Sequence, residues 1–521
     1  MAYSNTPIQF NLVKLISRLA VSLLVVLSVA CSSFEPRLKH AEQDFCSTIN
    51  QIPQQALSNY LLPFQQQMKT STGAYILEQA TEALHARAWL SDHAEYSIDV
   101  QYFIFSTDNV GLIAIDYLVK AAERGIRVRI LVDDITVQAR GSELLKLAAH
   151  DNISIKIYNP RINIGQNIIE KTVNLTLGFH QLNQRMHNKT FTVDGKVSIT
   201  GGRNIADEYF GYDSEFNFRD RDVLLLGRAV NDIQSSFNQF WQYSLSIPVE
   251  ELVYSRKKPS TNYDALHQYA CNPAHFSPQV RAAINNIPNA FRLVPSTQPL
   301  HWIKDIEYVS DIPGKNDGKT FLGGSGLSTQ RLISLVEKAQ KSVTIQTPYL
   351  ITTQLAKNLF KTLVDKGVEV KILTNSLIST DNLEAFSGYQ RDRRALLKTG
   401  VKIYEFKPDA RIRQKIMADT MGEELQNIPV FGLHAKSLVI DDEITVIGTF
   451  NLDPRSANLN TESIAIIPSK DISLRVKQGM LKEMQTENAW QTTLDWNPDS
   501  QVSVLKQLRI KLRRIVPKNV L

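Results

Sequence analysis

The sequence predicts an α/β protein of two homologous lobes, each a mixed, mostly parallel sheet flanked by helices, with a ligand site between them. Three observations lead there. A strand–helix–strand pattern occurs twice, about 245 residues apart, and a second pattern rich in His, Lys, Asp, Gly and Asn recurs in the same order. In addition, 521 residues of ordinary globular composition exceed what one hydrophobic core usually holds.

The chain opens with Lys14 and Arg18 ahead of a twelve-residue apolar run, Leu19 to Ala30, that ends at Cys31. This is the form of a secretory signal, and twelve residues fall short of the roughly 20 that span a bilayer as a helix. The segment L-S-V-A-C resembles the bacterial lipobox. That resemblance implies cleavage and lipidation at Cys31, hence a membrane-associated protein of the bacterial cell envelope, on the periplasmic side. An uncleaved anchor helix is the alternative. Residues 1–30 are read as signal and 31–79 as an N-terminal extension. Cys46 and Cys271 are too widely spaced for their sequence to say whether they pair.

The first lobe, 80–254, begins with the β-type run Tyr96 to Phe105. Helical spacing from Asn109 to Arg124, a stop at Gly125 and a strand at Arg127 to Asp134 follow. The second lobe, 328–495, repeats this as Ser342 to Leu350, Thr353 to Lys366, Gly367 and Glu369 to Ser376. A further strand pair, Ile153 to Pro160 and Val401 to Pro408, extends the match. Region 255–327, with seven prolines from Pro259 to Pro313, reads as a linker with little regular structure.

Within each lobe the sequence then reads HNKTFTVDGKVSITGGRN from His187 and HAKSLVIDDEITVIGTFN from His434. His187, Lys189, Asp194, Gly201 and Asn204 each lie 247 residues before His434, Lys436, Asp441, Gly448 and Asn451. Five identities in register, inside a repeat visible on other grounds, are not coincidence. The other eight histidines have no such pattern and read as ordinary surface or core residues.

The local pattern is a hairpin, and residues two apart on a strand share a face, so each His and Lys are presented together. A neutral imidazole beside an ammonium group suits attack on a phosphodiester: the imidazole supplies nucleophile or proton, while Lys and Asn neutralise and orient phosphoryl oxygens. Asp194 and Asp441 belong to the same motif and are grouped with its catalytic residues. They lie roughly 23 Å along an extended strand and on the opposite face, however, so they are expected to shape the turn. The carboxylate that orients each histidine must then come from elsewhere, and Asp222 in FRDRDV and Glu462 in NLNTE are the candidates. No metal or cofactor is expected, because each histidine is paired with a repelling cation and neither a Cys- or His-rich cluster nor a Gly-rich nucleotide loop occurs.

Two His-x-Lys-x4-Asp copies, with GGRN after the first and GTFNLDPRSANLNTE after the second, resemble the phospholipase D superfamily over roughly residues 80–470. RMHNKTFTVDG and GGRNIADEYFG resemble, within it, bacterial cardiolipin synthases of the phospholipase D type. The resemblance implies two phospholipase D-like lobes and a metal-independent two-step reaction. One histidine forms a covalent phosphohistidine; the other protonates the leaving alcohol and activates the acceptor. Carried across, Asn204, Asn451, Ser456 and Glu462 match family positions that hold phosphate or orient histidine. The expected function is phosphatidyl transfer between phospholipids; hydrolysis to phosphatidic acid and a non-catalytic lipid-binding lipoprotein are the alternatives.

Charge bears on partners. Lys and Arg number 58 against 52 Asp and Glu, a net +6, but residues 501–521 hold six bases and no acid, and the body is close to balanced. Nucleic acid is therefore disfavoured as a partner. In the tail, 496–521, Leu505, Leu508, Leu512, Ile515 and Val516 fall on one helical face among Lys506, Arg509, Lys511, Arg513 and Arg514. Such a basic amphipathic helix suits an anionic membrane surface, and a helix packed on the second lobe is the alternative.

Overall fold

The computed structural model describes residues 55–166, 179–256, 259–272, 274–275, 284, 288–292, 299–316, 323–414 and 429–521. The signal segment and Cys31 lie outside the described residues, as does Cys46; Cys271 is buried at the end of the helix Asp264–Cys271. Among the described residues no helix is long and apolar enough to cross a membrane.

Two sheets carry the fold. In the nine-stranded sheet the order from edge to edge is His301–Ile303, Thr72–Leu77, Asp222–Gly227, Val197–Gly201, Thr190–Val193, Ser97–Tyr102, Arg127–Asp133, Ile153–Tyr158 and Ser246–Pro248. The eight-stranded sheet follows the same plan: Glu307–Ser310, Ser463–Pro468, Ile444–Gly448, Ser437–Ile440, Ser342–Gln346, Glu369–Asn375, Lys402–Phe406 and Ala489–Thr492. Parallel pairing is confined to the three strands of the repeated β-α-β pattern in each sheet, and the motif hairpin adds antiparallel strands alongside. Of those parallel strands, Ser97–Tyr102 and Ser342–Gln346 are buried along their whole length, as strands covered on both faces are.

The repeat has the same punctuation in both lobes. Asp108 and Thr353 cap the helices Asn109–Glu123 and Gln354–Asp365, accepting from Gly111 N and Ala356 N. Gly125 and Gly367, at φ of 91° and 85°, end them in the left-handed conformation that favours glycine.

The region between the lobes is more ordered than its prolines suggest. Its helix Asp264–Cys271 sits on the first lobe, where Tyr263 donates to Lys146 O at 2.9 Å and His267 Nδ1 lies 2.6 Å from Asp116. The chain then adds His301–Ile303 to one sheet and Glu307–Ser310 to the other, joining two edges within a few residues. Likewise Thr72–Leu77, read from sequence as extension, is a strand inside the first sheet.

The lobes share more than a link. One apolar cluster mixes Ile76, Val223 and Leu225 of the first with Val439, Ile447 and Ala465 of the second. A two-stranded parallel sheet pairs Phe216–Arg219 with Val430–Leu433, and an isolated bridge pairs Met186 with Thr461.

The tail folds as the helix Val504–Leu512 with a short continuation, Arg513–Ile515. It is held to the second lobe by buried Ile510, by Arg513 to Glu384 and Lys518 to Asp392, and by Arg391 donating to the carbonyls of Arg514 and Val516. The apolar stripe seen in sequence faces away from that contact: Leu505, Leu508, Leu512 and Ile515 are between 53% and 87% exposed.

Candidate active site

Each histidine enters the site on a segment bonded to the other lobe. His187 N donates to Thr461 O at 3.0 Å while Thr461 N donates to Arg185 O at 2.9 Å; His434 N donates to Arg219 O at 2.8 Å. The next residue along each partner segment is a carboxylate. Glu462 Oε2 lies 2.8 Å from His187 Nδ1, and Asp220 Oδ2 lies 2.6 Å from His434 Nδ1. Each imidazole is therefore oriented by the opposite lobe. A carboxylate only accepts, so Nδ1 carries the proton and Nε2 the lone pair.

The lysines fold back over their histidines. Lys189 Nζ donates to His187 O at 2.8 Å and Lys436 Nζ to His434 O at 2.7 Å. The copies differ at the reactive nitrogen: Lys436 Nζ also lies 3.1 Å from His434 Nε2, whereas His187 Nε2 has no protein partner among the described residues. Aromatic rings wall both imidazoles: between ring centroids, Phe103 lies 5.0 Å from His187 and Tyr209 5.0 Å from His434, both edge to face, and Phe218 lies tilted at 4.8 Å from His434.

Burial sets the charge states. It disfavours the imidazolium and pushes His187 down to about 4 and His434 to about 3, with the neighbouring lysines adding to the effect against the pull of Glu462 and Asp220. Burial likewise lowers Lys189 to about 7 and Lys436 to about 8, and the Lys436 charge lowers Lys189 further. Burial works to raise both carboxyl groups, but His434 and Lys436 hold Asp220 well below the usual carboxylate range, and His187 and Lys189 hold Glu462 below it. The lysine of each lobe perturbs the histidine of the other, so the four groups form one electrostatic site.

Asp222 does not orient a histidine. It opens the strand Asp222–Gly227, and its carboxylate is bound by Arg87 at 2.8 Å, with the Arg203 guanidinium at 3.4 Å and Arg203 N at 3.2 Å. The residue two earlier, Asp220, takes the part expected of it. The motif aspartates are also elsewhere. Asp194 accepts from the backbone N–H groups of Glu95, Tyr96 and Ser97, and Asp441 from those of Gln340, Lys341 and Ser342. At φ of 54° and 53° they form the hairpin turns and tie them to the entry of each lobe's first parallel strand. Their place among the catalytic residues is thus corrected to the turn.

Asn204 is held by Ile104 N at 3.1 Å, whereas the buried Oδ1 of Asn451 has no protein partner among the described residues. Ser456 accepts from Asn451 N at 3.3 Å and fixes that loop.

Sequence reasoning missed Asp220 and its supports. Gly201 pairs with Asp222 and Gly448 with Ile464, so Asp220 and Glu462 both stand two residues before the partner of the motif glycine. Laying DRDVLLL over ESIAIIP would have matched them. The residue after each motif glycine differs to suit. A Cβ at Gly202 would come within 2.1 Å of Asp220 Oδ1, whereas Thr449 donates its hydroxyl to Glu462 at 2.5 Å. Arg219 and Arg221, flanking Asp220, brace it across the lobes through Glu483 at 2.7 Å and Gln346 at 2.7 Å.

The family described as "Cardiolipin synthase, PLD-like domain" matches residues 90–241 and 332–484, one copy per lobe. Cardiolipin synthase C of Escherichia coli (strain K12) is 34% identical over 449 residues, 84% of this chain and 90% of that protein. Cardiolipin synthase 1 of Bacillus anthracis is 25% identical over 426 residues, 82% of this chain and 68% of that one. The crystal structure of a phosphatidylserine synthase from Haemophilus influenzae Rd KW20 shares the fold, with a TM-score of 0.58 at 15% identity, covering 89% of this chain and all of that one. The chain belongs to the cardiolipin synthase family of phospholipase D-like proteins.

Proposed function

We propose that this protein is an enzyme that moves a phosphatidyl group from one phospholipid to another through a covalent phosphohistidine. The observation that carries the reading is the pair of imidazoles, each with its Nδ1 proton engaged by the other lobe's carboxylate and each beside a buried lysine. Its relative named a cardiolipin synthase supports a phospholipid donor and acceptor.

His187 is the attacking group, because its Nε2 has no partner among the described residues while Lys436 stands against that of His434. The His187 Nε2 lone pair forms the N–P bond as the P–O bond to the donor's headgroup breaks. The negative phosphodiester favours the imidazolium form of His434, which gives its Nε2 proton to the departing alkoxide and is left neutral; Lys189 and Lys436 neutralise the phosphoryl oxygens, and Asn451 orients them. In the second half His434 takes the acceptor's hydroxyl proton, the new O–P bond forms and the N–P bond breaks. Asp220 and Glu462 offset the charge that each ring carries in turn.

The acceptor must reach the intermediate before water, so the enzyme works at a bilayer surface. The exposed stripe Leu505, Leu508, Leu512 and Ile515, among Lys506, Arg509 and Lys511, suits that contact, and lipidation at Cys31 would hold the protein in the cell envelope. The test is incubation with labelled phosphatidylglycerol and phosphatidylethanolamine. Cardiolipin is the expected product; phosphatidic acid alone would make the enzyme a hydrolase, and no product would leave a lipid-binding protein. Palmitate labelling of the wild type but not of Cys31→Ala tests the anchor.

A further inference from the structure

The two lobes hold an apolar cavity at the same place in the repeat, and only one of them is open. In the first lobe it is lined by Phe191 and Ile205; in the second by Leu438 and Leu452, each 247 residues later, the offset of the catalytic motif itself. The helix between the parallel strands contributes Val110 and Ala114 to one, Leu355 and Leu359 to the other. The first cavity has a volume of about 30 Å³ and the second about 260 Å³.

The difference has identifiable causes. Ile284, buried and supplied by the region between the lobes, plugs the first cavity, and Phe105 and Tyr117 fill it from the lobe's own repeat. At the matching positions the second lobe has Leu350 and Thr362, and its cavity is lined only by residues between Ser325 and Asn458. An apolar cavity of about 150 Å³ takes up benzene, so the second lobe's cavity accommodates a longer run of carbons.

Two further features say what kind of molecule would enter. At one side Leu355, a lining residue, is 58% exposed, so the cavity meets the surface through an apolar lip. At the other side it shares Leu332, Ile345, Leu438, Phe450 and Leu452 with a small cavity of about 30 Å³ that is also lined by Lys436. Only those apolar side chains stand between the larger cavity and the space beside the lysine of the second motif. A phosphate at that lysine would have its attached hydrocarbon beside the cavity.

We propose that the cavity of the second lobe receives one acyl chain of the phospholipid, and that the plugged cavity of the first lobe receives none. This rests on the phosphatidyl-transfer reading and adds a binding site for the lipid tail to it. Burying a chain in a cavity of fixed volume makes turnover depend on chain length: each methylene is worth about fourfold until the cavity is full, and further carbons gain nothing. The site also fixes which lobe the tail of the phosphohistidine adduct lies along.

The test compares wild type with Ala356→Trp, which fills the cavity from the helix Gln354–Asp365 and touches no residue of the histidine site. Substrates are phosphatidylglycerols of graded chain length and the soluble diester bis(p-nitrophenyl) phosphate. The expected result is at least a tenfold loss of kcat/KM on long chains, a flattened dependence on chain length and unchanged turnover of the soluble diester. Equal activity on long chains in variant and wild type would overturn the acyl site while leaving the transfer reading standing. No turnover of either substrate by the wild type would instead remove the transfer reading. Should Ala356→Trp fail to fold, phosphatidylglycerol bearing a photoreactive group at the acyl terminus is crosslinked to the wild type. Adducts within 327–365 support the proposal, and adducts confined to the first lobe overturn it.

Discussion

The first lobe and the second carry the same five motif residues but support them differently. Their shared part is the chemistry: His, Lys and a carboxylate from across the interface, all buried. Their differences lie around it, with Asp220 accommodated by Gly202 in one lobe and Glu462 bonded by Thr449 in the other. Lys436 stands against its histidine's Nε2, which Lys189 does not, and one cavity is plugged where the other is open. A duplication of this kind separates what the reaction requires from what each half can vary. Neither half is complete alone, because each histidine takes its orienting group from the other.

The largest effect expected is from the histidines. His187→Ala and His434→Ala should each lower turnover by about 10⁴-fold or more, and the double variant little further, because the two act as a unit. Circular dichroism and thermal melting should show both folded. Retained turnover in folded His434→Ala would break the equivalence of the lobes.

Next come the crossed carboxylates. Asp220→Asn and Glu462→Gln should each cost about 10²- to 10⁴-fold in kcat with little loss of fold, since the tautomer and orientation of the ring are at stake. Asp222→Asn is the control. It breaks a buried pair with Arg87 and should lower stability by about 3 kcal/mol, read as a shift in the denaturation midpoint. If Asp222→Asn lost activity at unchanged stability and Asp220→Asn did not, the assignment would be reversed.

The turn aspartates give a smaller, purely structural effect. Asp194→Ala and Asp441→Ala each remove an acceptor of three backbone N–H groups and should cost about 2 kcal/mol of stability, with kcat per folded molecule preserved.

The pH profile sharpens the same comparison. The attacking His187 must be neutral, so kcat/KM falls as pH drops through its value of about 4. The lysines must be charged, so it also falls as pH rises through about 7 and 8. A bound phosphate favours the ammonium form, so the alkaline limb of kcat should lie above that of kcat/KM. An alkaline limb that did not move on saturation would remove the lysines from phosphate binding.

Much of this was legible before any coordinates because the sequence carries its own control. The two β-α-β patterns, the glycine stops at Gly125 and Gly367 and the motif in register check one another, and each depends on local spacing. What stayed hidden depends on pairing between distant segments. Asp220 and Asp222 sit in one short run, and choosing between them requires knowing that Phe216–Arg219 pairs with Val430–Leu433 and that a new strand starts at Asp222. The same holds for the tail. Its apolar positions were visible, but only the packing of Ile510 tells that Leu505, Leu508 and Leu512 face outward. Strands in the proline-rich region escaped because three- and four-residue edges carry little pattern of their own.

In the proposed mechanism one histidine from each lobe acts in a single site, His187 forming the bond to phosphorus and His434 moving the proton. Rapid quenching and mass spectrometry of the protein with a p-nitrophenyl phosphodiester of a diacylglycerol tests it, because the good leaving group needs no acid. That mechanism predicts a phosphoryl adduct on His187 that accumulates in His434→Ala and is absent from His187→Ala. An adduct on His434, or turnover by the wild type with no adduct on either histidine, would contradict it.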